Sequence, residues 1–509
     1  MSDFLDALSR APDLLAQHLL LAMSALVLGI VLSLPLAVWS ARVPTVGRIA
    51  MGFASLVQTI PSLALLALFY PLLLSLSTLV GGGIPALGFL PSLLALTLYA
   101  LLPILRNGVT GLTGIDPAVI EAADGVGMTA WQKLRLVEAP LIAPVLMAGI
   151  RTAAVWTIGA ATLSTTVGQP SLGDMIFAGL QTQNWALVLA GCFAAAGLAL
   201  AVDALLGVIE HGIARRKRGR VWVACGLLAA GVVVALAPML PAAEPTVTIG
   251  AKGFSEQYIL ARLIGRRLEA AGYRVRYKDG LGSGVMFAAL TSGDVDVAVD
   301  YTGTIWTNEM KRADNPPRDA MLAAIAQWEG TKGLDLLGRL GFENAYAFAM
   351  RGDRAKALGI ASLDDLAGHA GDLTFGSDPE FLERPEWKSV RAAYGMRFGA
   401  ANAYSPTFMY RALASGRADV ISAYTSDGRI AADKLVVLTD PRHAIPNYDA
   451  ILTLSPQRAR DARAVAALKP LIGRVSVEAM REANYLVDRD TGKLSPDAAA
   501  RWLEKKIGL

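Results

Sequence analysis

Long apolar runs separated by short polar or Gly/Pro-rich breaks fill the first 240 residues, and a denser mixture of polar and apolar positions fills the remainder. Apolar runs of spanning length, charged only at Arg151 and Asp203, cover residues 15–41, 49–76, 84–105, 141–167, 186–209 and 221–240. About 20 apolar residues let a helix cross roughly 30 Å of hydrocarbon, so the pattern predicts six membrane spans. From Thr246 onward the pattern changes to short β-rich runs at 246–249, 274–278 and 296–299, alternating with helical runs at about 255–270 and 284–291. That alternation predicts a water-exposed α/β fold. The expected domains are a membrane domain at 1–214, a last span and linker at 215–245, and a soluble domain at 246–509.

Charge fixes the expected orientation. Arg215, Arg216, Lys217, Arg218 and Arg220 stand immediately before the last span, and clustered cations beside a span stay on the cytoplasmic side. Counting back puts the 106–140 loop and the Arg42–Arg48 turn inside, and the amino terminus with Asp3, Asp6 and Asp13 outside. Residues after Pro241 emerge on the outer face. Between Leu14 and Leu105 the only formal charges are Arg42 and Arg48, both on the expected inner side. The 509 residues are 54% hydrophobic and 18% charged, values that make sense only as an average over an apolar half and a soluble half. The net charge of +4 is concentrated at span ends, so it argues for topology and against nucleic-acid binding. Cys192 and Cys225 both lie in apolar runs, leaving the soluble domain without a disulfide framework.

The 106–140 loop carries Asp116-Pro117-Ala118-Val119-Ile120-Glu121-Ala122-Ala123-Asp124-Gly125-Val126-Gly127. Asp before Pro marks a helix start, because Asp116 can accept from free amides and Pro117 loses nothing in the first turn. The helix should close near Gly125 or Gly127, with a second helical piece from Thr129 to Pro140. Glu121 can stabilise its own first turn or meet a basic group on a partner. Glu121-Ala122-Ala123, then Gly127, then Val137 and Ala139-Pro140 resemble the EAA loop of ABC importer permeases, with Val and Ala in place of the usual Ile and Leu. The resemblance implies that Glu121, Ala122, Ala123 and Gly127 belong to a coupling helix that docks on a separate ABC ATPase subunit. No Gly-x-x-x-x-Gly-Lys-Ser/Thr loop occurs in the chain, so ATP is expected to be used by that partner and this chain to hold no cofactor. Gln58-Thr59-Ile60-Pro61-Ser62 places polarity and a proline inside the second run, read either as a structural kink or as part of a pathway. The run QTIPSLALLALFYPL also resembles the same region of quaternary-ammonium importer permeases. The segment 168–173 is expected as an outward turn, serving as gate or connector.

In the soluble half the sequence repeats itself. Ala289-Leu290-Thr291-Ser292-Gly293-Asp294-Val295-Asp296-Val297 leads to Tyr301-Thr302, and Ala412-Leu413-Ala414-Ser415-Gly416-Arg417-Ala418-Asp419-Val420 leads to Tyr424-Thr425, 123 residues later. A looser echo pairs Thr248-Ile249-Gly250 with Thr374-Phe375-Gly376. Two similar α/β lobes would bring both tyrosines to the carboxyl rim of a sheet, where such folds bind ligands. Tyr346 and Tyr448, each after an Asn at the edge of a β-rich run, can complete a cage of four rings. Ring faces attract cations that cannot donate hydrogen bonds, at about 0.5–2 kcal/mol per contact when dry. Neither a metal-spaced His or Cys cluster nor a nucleophile triad is visible, so no metal and no catalytic residue is expected.

Gly250-Ala251-Lys252-Gly253-Phe254-Ser255-Glu256-Gln257-Tyr258, Asp300-Tyr301-Thr302-Gly303-Thr304, Ala423-Tyr424-Thr425-Ser426-Asp427-Gly428-Arg429 and Asn484-Tyr485-Leu486-Val487-Asp488 resemble the receptors of osmoprotectant ABC importers. The implied ligand is a small quaternary-ammonium compound such as glycine betaine, choline or carnitine. The implied cage is Tyr301, Tyr346, Tyr424 and Tyr448, with Gln257 and Thr304 as polar contacts. The implied fold is an all-α polytopic permease of the type I importer kind plus a two-lobed α/β substrate-binding domain. It would sit in lipid in the bacterial plasma membrane as a homodimer, with the carboxyl-terminal domain outside. Ergothioneine importers of the same architecture are an alternative. A membrane-anchored ligand sensor is an alternative of another class, and the apolar run ending in Pro241-Ala242-Ala243 also admits a cleaved signal peptide.

Overall fold

The computed structural model describes every residue except 1, 9–10, 81–83, 182–183, 237–244, 313 and 490. The linker and the possible cleavage point at Pro241-Ala242-Ala243 therefore lie outside the described residues. The chain divides into two compact units, Met1–Ile176 with Ala186–Pro241, and Phe177–Trp185 with Ala242–Leu509.

In the first unit five stretches are long and apolar enough to cross a membrane: Ala11–Arg42, Phe89–Thr113, Ala130–Val167, Trp185–Ala214 and Arg218–Leu236. The expected span at 49–76 is not one straight helix. It breaks into Pro44–Thr59 and Ser62–Leu79, with the two arms bent by 104°. Pro61 has no N–H to continue the ladder, and Ile60 before it adopts an extended conformation at φ −76, ψ 125, as a residue preceding proline prefers. The helix Phe89–Thr113 satisfies the break: the Tyr99 hydroxyl donates to the Ile60 carbonyl, and the Gln58 amide donates to the Tyr99 carbonyl at 3.5 Å.

The bundle core joins Leu21, Ala25 and Leu26 to Leu96, Ala100 and Ile104 and to Ala153, Ala154 and Ile158. Small residues let these helices approach closely, the usual means of packing where lipid is as apolar as leucine. A Cβ on Gly149 would lie 2.7 Å from the Pro103 carbonyl oxygen. At one end of the bundle Arg42 donates to both carboxylate oxygens of buried Glu138 at 2.9 and 2.8 Å. That pair holds the Arg42 turn beside the return of the 106–140 loop.

The segment 168–173, expected as an outward turn serving as gate or connector, is packed. Gln169, Ser171 and Leu172 are buried, Ser171 Oγ lies 3.0 Å from Thr165 Oγ1, and the Leu172 amide donates to His18 Nδ1 at 3.3 Å. A Cβ on Gly173 would fall 1.8 Å from the Thr162 carbonyl oxygen. Turn-forming composition marked the reversal correctly but carried no information about what would cover it.

The second unit contains two five-stranded sheets of the same topology. The first comprises β1 (Thr246–Lys252), β2 (Arg274–Leu281), β3 (Val297–Tyr301), β4 (Asp335–Glu343) and β10 (Asp449–Leu454), in the order β2-β1-β3-β10-β4. The second comprises β5 (Tyr346–Arg351), β6 (Thr374–Ser377), β7 (Ala400–Ala403), β8 (Val420–Tyr424) and β9 (Leu435–Val437), in the order β7-β6-β8-β5-β9. In each sheet the first three strands are parallel and the fourth runs antiparallel to both of its neighbours. The repeat extends to its anchors. Asp296 receives the Thr248 amide at 2.8 Å and its own amide donates to the Thr248 carbonyl at 2.7 Å. Asp419 receives the Thr374 amide at 3.0 Å and donates to the Thr374 carbonyl at 2.8 Å.

The chain crosses between lobes after β4 and returns after β9. The crossings are tied together where the Asn344 amide donates to the Tyr448 carbonyl at 2.9 Å. One continuous core, including Ile249, Leu263, Tyr301, Phe348, Phe375 and Tyr448, runs through both lobes.

Candidate functional sites

The strand directions decide where the tyrosines meet. Tyr301 and Tyr424 end β3 and β8, whereas Tyr346 opens β5 and Tyr448 immediately precedes β10. Because β5 runs antiparallel to β8 and β10 to β3, their starts fall at the same rims as those ends, with Tyr346 opposite Tyr424 and Ala450 opposite Tyr301. All four tyrosines line one cleft between the lobes, of about 360 Å³. Its size is near the lower end of small-molecule sites, about 300–1,000 Å³.

The rings form a connected arc. Tyr346 lies 5.1 Å from Tyr424 and 5.9 Å from Tyr448, centroid to centroid. Phe254 lies 6.2 Å from Tyr424 and 6.4 Å from Tyr301, closing the gap between lobes. Burial raises all four phenol pKa values well above the ordinary range, so the rings present neutral faces.

Thr304 lines the cleft with them, but Gln257 does not. The Gln257 amide donates to the Val299 carbonyl at 3.2 Å and to Tyr301 Oη at 2.9 Å, and its oxygen accepts from the Lys252 amide at 3.3 Å. Its place is behind Tyr301, setting that ring.

Charged groups that the aromatic pattern did not single out complete the surroundings. Lys252 lines the cleft, pairs with Asp300 at 2.6 Å and lies 5.3 Å from the Tyr301 ring centroid. Asp378 accepts from the Tyr424 hydroxyl at 3.1 Å and from the Phe381 amide at 2.9 Å; burial raises its pKa against those bonds. Arg384 lies 5.2 Å from the Tyr346 ring and 5.9 Å from the Tyr448 ring, and is bonded to Glu380, Glu386 and the Tyr448 oxygen at 2.7, 2.9 and 3.1 Å. Burial opposes ionisation of Glu386, but Arg384 overcomes it and holds the carboxyl below its usual range. The looser echo contained part of this signal: Lys252 and Asp378 each stand two residues after its glycine, at matching ends of β1 and β6. The cleft can thus hold a cation against ring faces near Asp378 and an anion near Arg384, Lys252 and Thr304.

Behind the cage sits Glu256, fully buried. It accepts from Tyr301 Oη at 2.6 Å, Asn344 Nδ2 at 3.1 Å, Ser426 Oγ at 2.5 Å and Asn484 Nδ2 at 3.1 Å. Burial raises its pKa, and the four donors counteract that. These donors come from both lobes and a crossing segment, so one carboxylate ties the cage to the hinge.

In the membrane unit the 106–140 loop forms the helix Pro117–Gly125, with Asp116 accepting from the Ala118 amide at 2.9 Å. Gly127 closes it at φ +78, a left-handed conformation that favours glycine. Thr129 and Gln132 then form a capping box that starts the next helix. Glu121 stands on the fifth residue of its helix and is exposed, so it is not a first-turn charge. Ala122 is exposed and Ala123 is buried. Around them Val126, Trp131 and Leu136 are exposed by 73, 67 and 61%, an apolar face beside the helix pair. Lys133 and Asp124 pair across it at 2.6 Å.

Residues 245–505 match the family described as the substrate-binding domain of the ABC-type glycine betaine transport system. Residues 29–215 match the binding-protein-dependent transport system inner membrane component. The ergothioneine transport permease/ergothioneine binding protein EgtU of Helicobacter pylori is 30% identical over 89% of this chain and 82% of its own length. The glycine betaine/carnitine/choline permease OpuCB of Bacillus subtilis is 40% identical over 39% of this chain and 85% of its own. A solved structure described as a glycine betaine/carnitine/choline ABC transporter is 28% identical, covers 51% of this chain and 98% of its own, and has a TM-score of 0.45.

Proposed function

The chain belongs to the ABC-type glycine betaine transport family, as a multi-pass membrane permease fused to its substrate-binding domain, and from that membership we propose that it imports a small N-trimethylated zwitterion. The observation that carries the ligand class is the arc of Tyr301, Phe254, Tyr424, Tyr346 and Tyr448 around one cleft, with Arg384 at its side. A trimethylammonium group has no N–H to offer, so ring faces with Asp378 nearby suit it better than hydrogen-bond acceptors. Arg384 already lies against Tyr346 and Tyr448, and like charges repel. Lys252 likewise lies over the Tyr301 ring, so the ligand's cation lies toward Phe254 and Tyr424, beside Asp378, and its carboxylate toward Arg384, Thr304 and Lys252.

A second reading deserves equal testing because the EgtU match extends through both domains, whereas the OpuCB match is confined to the permease. Ergothioneine is a trimethylated zwitterion too, so the same cage would hold its charged end. The discriminating experiment is calorimetric titration of wild type and Arg384→Gln with choline, glycine betaine, carnitine and ergothioneine. Loss of the carboxylate-bearing ligands with choline retained supports the arrangement; an equal effect on all of them removes Arg384 from the anion site.

Transport completes the proposal. The receptor domain lies on the outer face, two permease chains line one pathway, and a separate ATPase consumes the ATP. Glu121, Ala122, Ala123 and Gly127 belong to the docking segment, whose exposed Val126, Trp131 and Leu136 are suited to a partner's apolar cleft. Val126→Asp should abolish ligand-stimulated ATP hydrolysis by the reconstituted complex while calorimetric binding stays intact.

A further inference from the structure

The membrane unit contains a groove that neither the receptor cleft nor the docking segment uses. It encloses about 680 Å³ and is lined by Arg151, Gly207, His211, Arg215, Arg220 and Val223, among others. Its walls are the helices Ala139–Ala161, Trp185–Ala214 and Arg218–Leu236. The last two meet in a tight reversal. The Lys217 amide donates to the Gly212 carbonyl at 2.8 Å, Arg216 takes φ 54, and a Cβ on Gly212 would lie 2.7 Å from Val221 Cγ2. That close approach brings Arg215, from one side of the turn, and Arg220, from the other, to the same groove.

The charges of this region do not cancel. Arg151 is bonded to Asp203 at 2.8 and 2.7 Å and to Glu210 at 2.8 Å, a cluster with one net negative charge. Against it stand Arg215, Arg216, Lys217, Arg218 and Arg220, all exposed. His211 Nδ1 is engaged with the Gly207 carbonyl at 2.8 Å. The remaining lining is apolar, with Ala204, Val208 and Val223, and neighbouring Trp222 is 76% exposed.

We propose that this groove binds the phosphate headgroup of an anionic phospholipid, with Arg215 and Arg220 holding the phosphate and Val208 and Val223 beside the acyl chains. A free phosphate ion shares the charge chemistry but has no use for the apolar wall. The proposal rests on the inner-face placement of the turn, where juxtamembrane cations meet the anionic leaflet.

Trp222 supplies the probe. The full chain is reconstituted in phosphatidylcholine nanodiscs containing equal mole fractions of brominated phosphatidylglycerol or brominated phosphatidylcholine, and the Trp222 signal is isolated by subtracting Trp222→Phe. The expected result is severalfold stronger quenching by the anionic lipid. Arg215→Gln with Arg220→Gln should bring that preference close to parity, each arginine removed being worth up to about fivefold. Equal quenching by the two lipids in the wild type, or a preference unchanged in the double variant, overturns the proposal. Abolition of the preference by inorganic phosphate, but not by potassium chloride of matched ionic strength, identifies a phosphate-ion site and overturns it as well. Sidedness is read separately, by protease cleavage at 215–220 in right-side-out vesicles. Cleavage from outside overturns the inner-leaflet assignment, whatever the quenching shows.

Discussion

Glu256→Ala is the substitution whose consequences the geometry constrains most closely. The side chain accepts four hydrogen bonds, from Tyr301, Asn344, Ser426 and Asn484, at 2.5–3.1 Å. Removing it strands four donors in a buried site, and each stranded donor costs about 1–3 kcal/mol. Two effects reduce the total. The buried carboxyl's own desolvation, which raises its pKa, is relieved, and the vacated space joins an adjoining cavity of about 40 Å³ that water can enter. The net loss should be about 2–4 kcal/mol, or about 5–10 °C in the melting temperature of a domain of this size. Glu256→Gln should lose about half as much. Its NH2 must face two donors, and rotating Asn484 to accept would break the 3.0 Å bond from its Nδ2 to the Ser426 carbonyl. Tyr301 keeps its bond from Gln257 at 2.9 Å, so ligand affinity should fall by less than about tenfold even in the alanine variant. Scanning calorimetry of residues 246–509 with and without ligand measures both quantities. A melting temperature for Glu256→Ala within 1 °C of wild type would falsify the picture of a buried four-donor hub.

Three further outcomes follow from the same geometry. Burial pushes the Glu329 carboxyl up to about 8 from an ordinary value near 4.5, partly opposed by the Thr453 hydroxyl at 3.2 Å. The folded state therefore holds the proton between those values, and stability should fall by about 3–5 kcal/mol as pH rises from about 4.5 through 8. Urea midpoints should show that decline, and Glu329→Gln should flatten it. Tyr424→Ala removes the ring between Phe254 and Tyr346 and should weaken ligand binding by about 3- to 30-fold, one desolvated cation–π contact. Tyr424→Phe keeps the ring, loses the hydroxyl's bonds with Asp378 and Tyr346 and should retain most affinity; equal losses would assign the effect to the hydroxyl. In the membrane unit, Gly173→Ala would place a methyl 1.8 Å from the Thr162 carbonyl, so size-exclusion chromatography of the extracted protein should show loss of the folded species. A normal profile would contradict the packed 168–173 segment.

Much of this architecture is legible in the sequence because it depends on local chemistry. The Asp116-Pro117 start, the Gly127 stop and the helix Ser255–Ala270 follow from capping and periodicity. The Tyr301/Tyr424 echo anticipates two sheets of one topology, since a repeated helix-turn-strand unit folds alike in both lobes. What the sequence concealed was long-range. Hydropathy is indifferent to a 104° bend, so residues 49–76 resembled one span although Pro61 marked the break. The composition of 168–173 signalled a turn but not the His18 and Thr165 side chains that bury it. Gln257 reads as a ligand contact from its neighbourhood, yet its bonds to Val299, Tyr301 and Lys252 put it behind the cage. Asp378 stands at the place of Lys252 in the looser echo, whereas Arg384 lies outside both the aromatic pattern and the repeat and becomes visible only when the lobes face each other.

The central claim is that these rings hold an N-trimethylated zwitterion. Its most direct test is calorimetric titration of the receptor domain with glycine betaine, carnitine, choline, ergothioneine and, as a control lacking the quaternary nitrogen, glycine. Tight binding of at least one trimethylated zwitterion, none of glycine, and loss of the signal in Tyr301→Ala is the predicted result. Binding of none of the trimethylated compounds, or equal binding in Tyr301→Ala, would mean that the tyrosines serve packing and that the cleft takes another class of ligand.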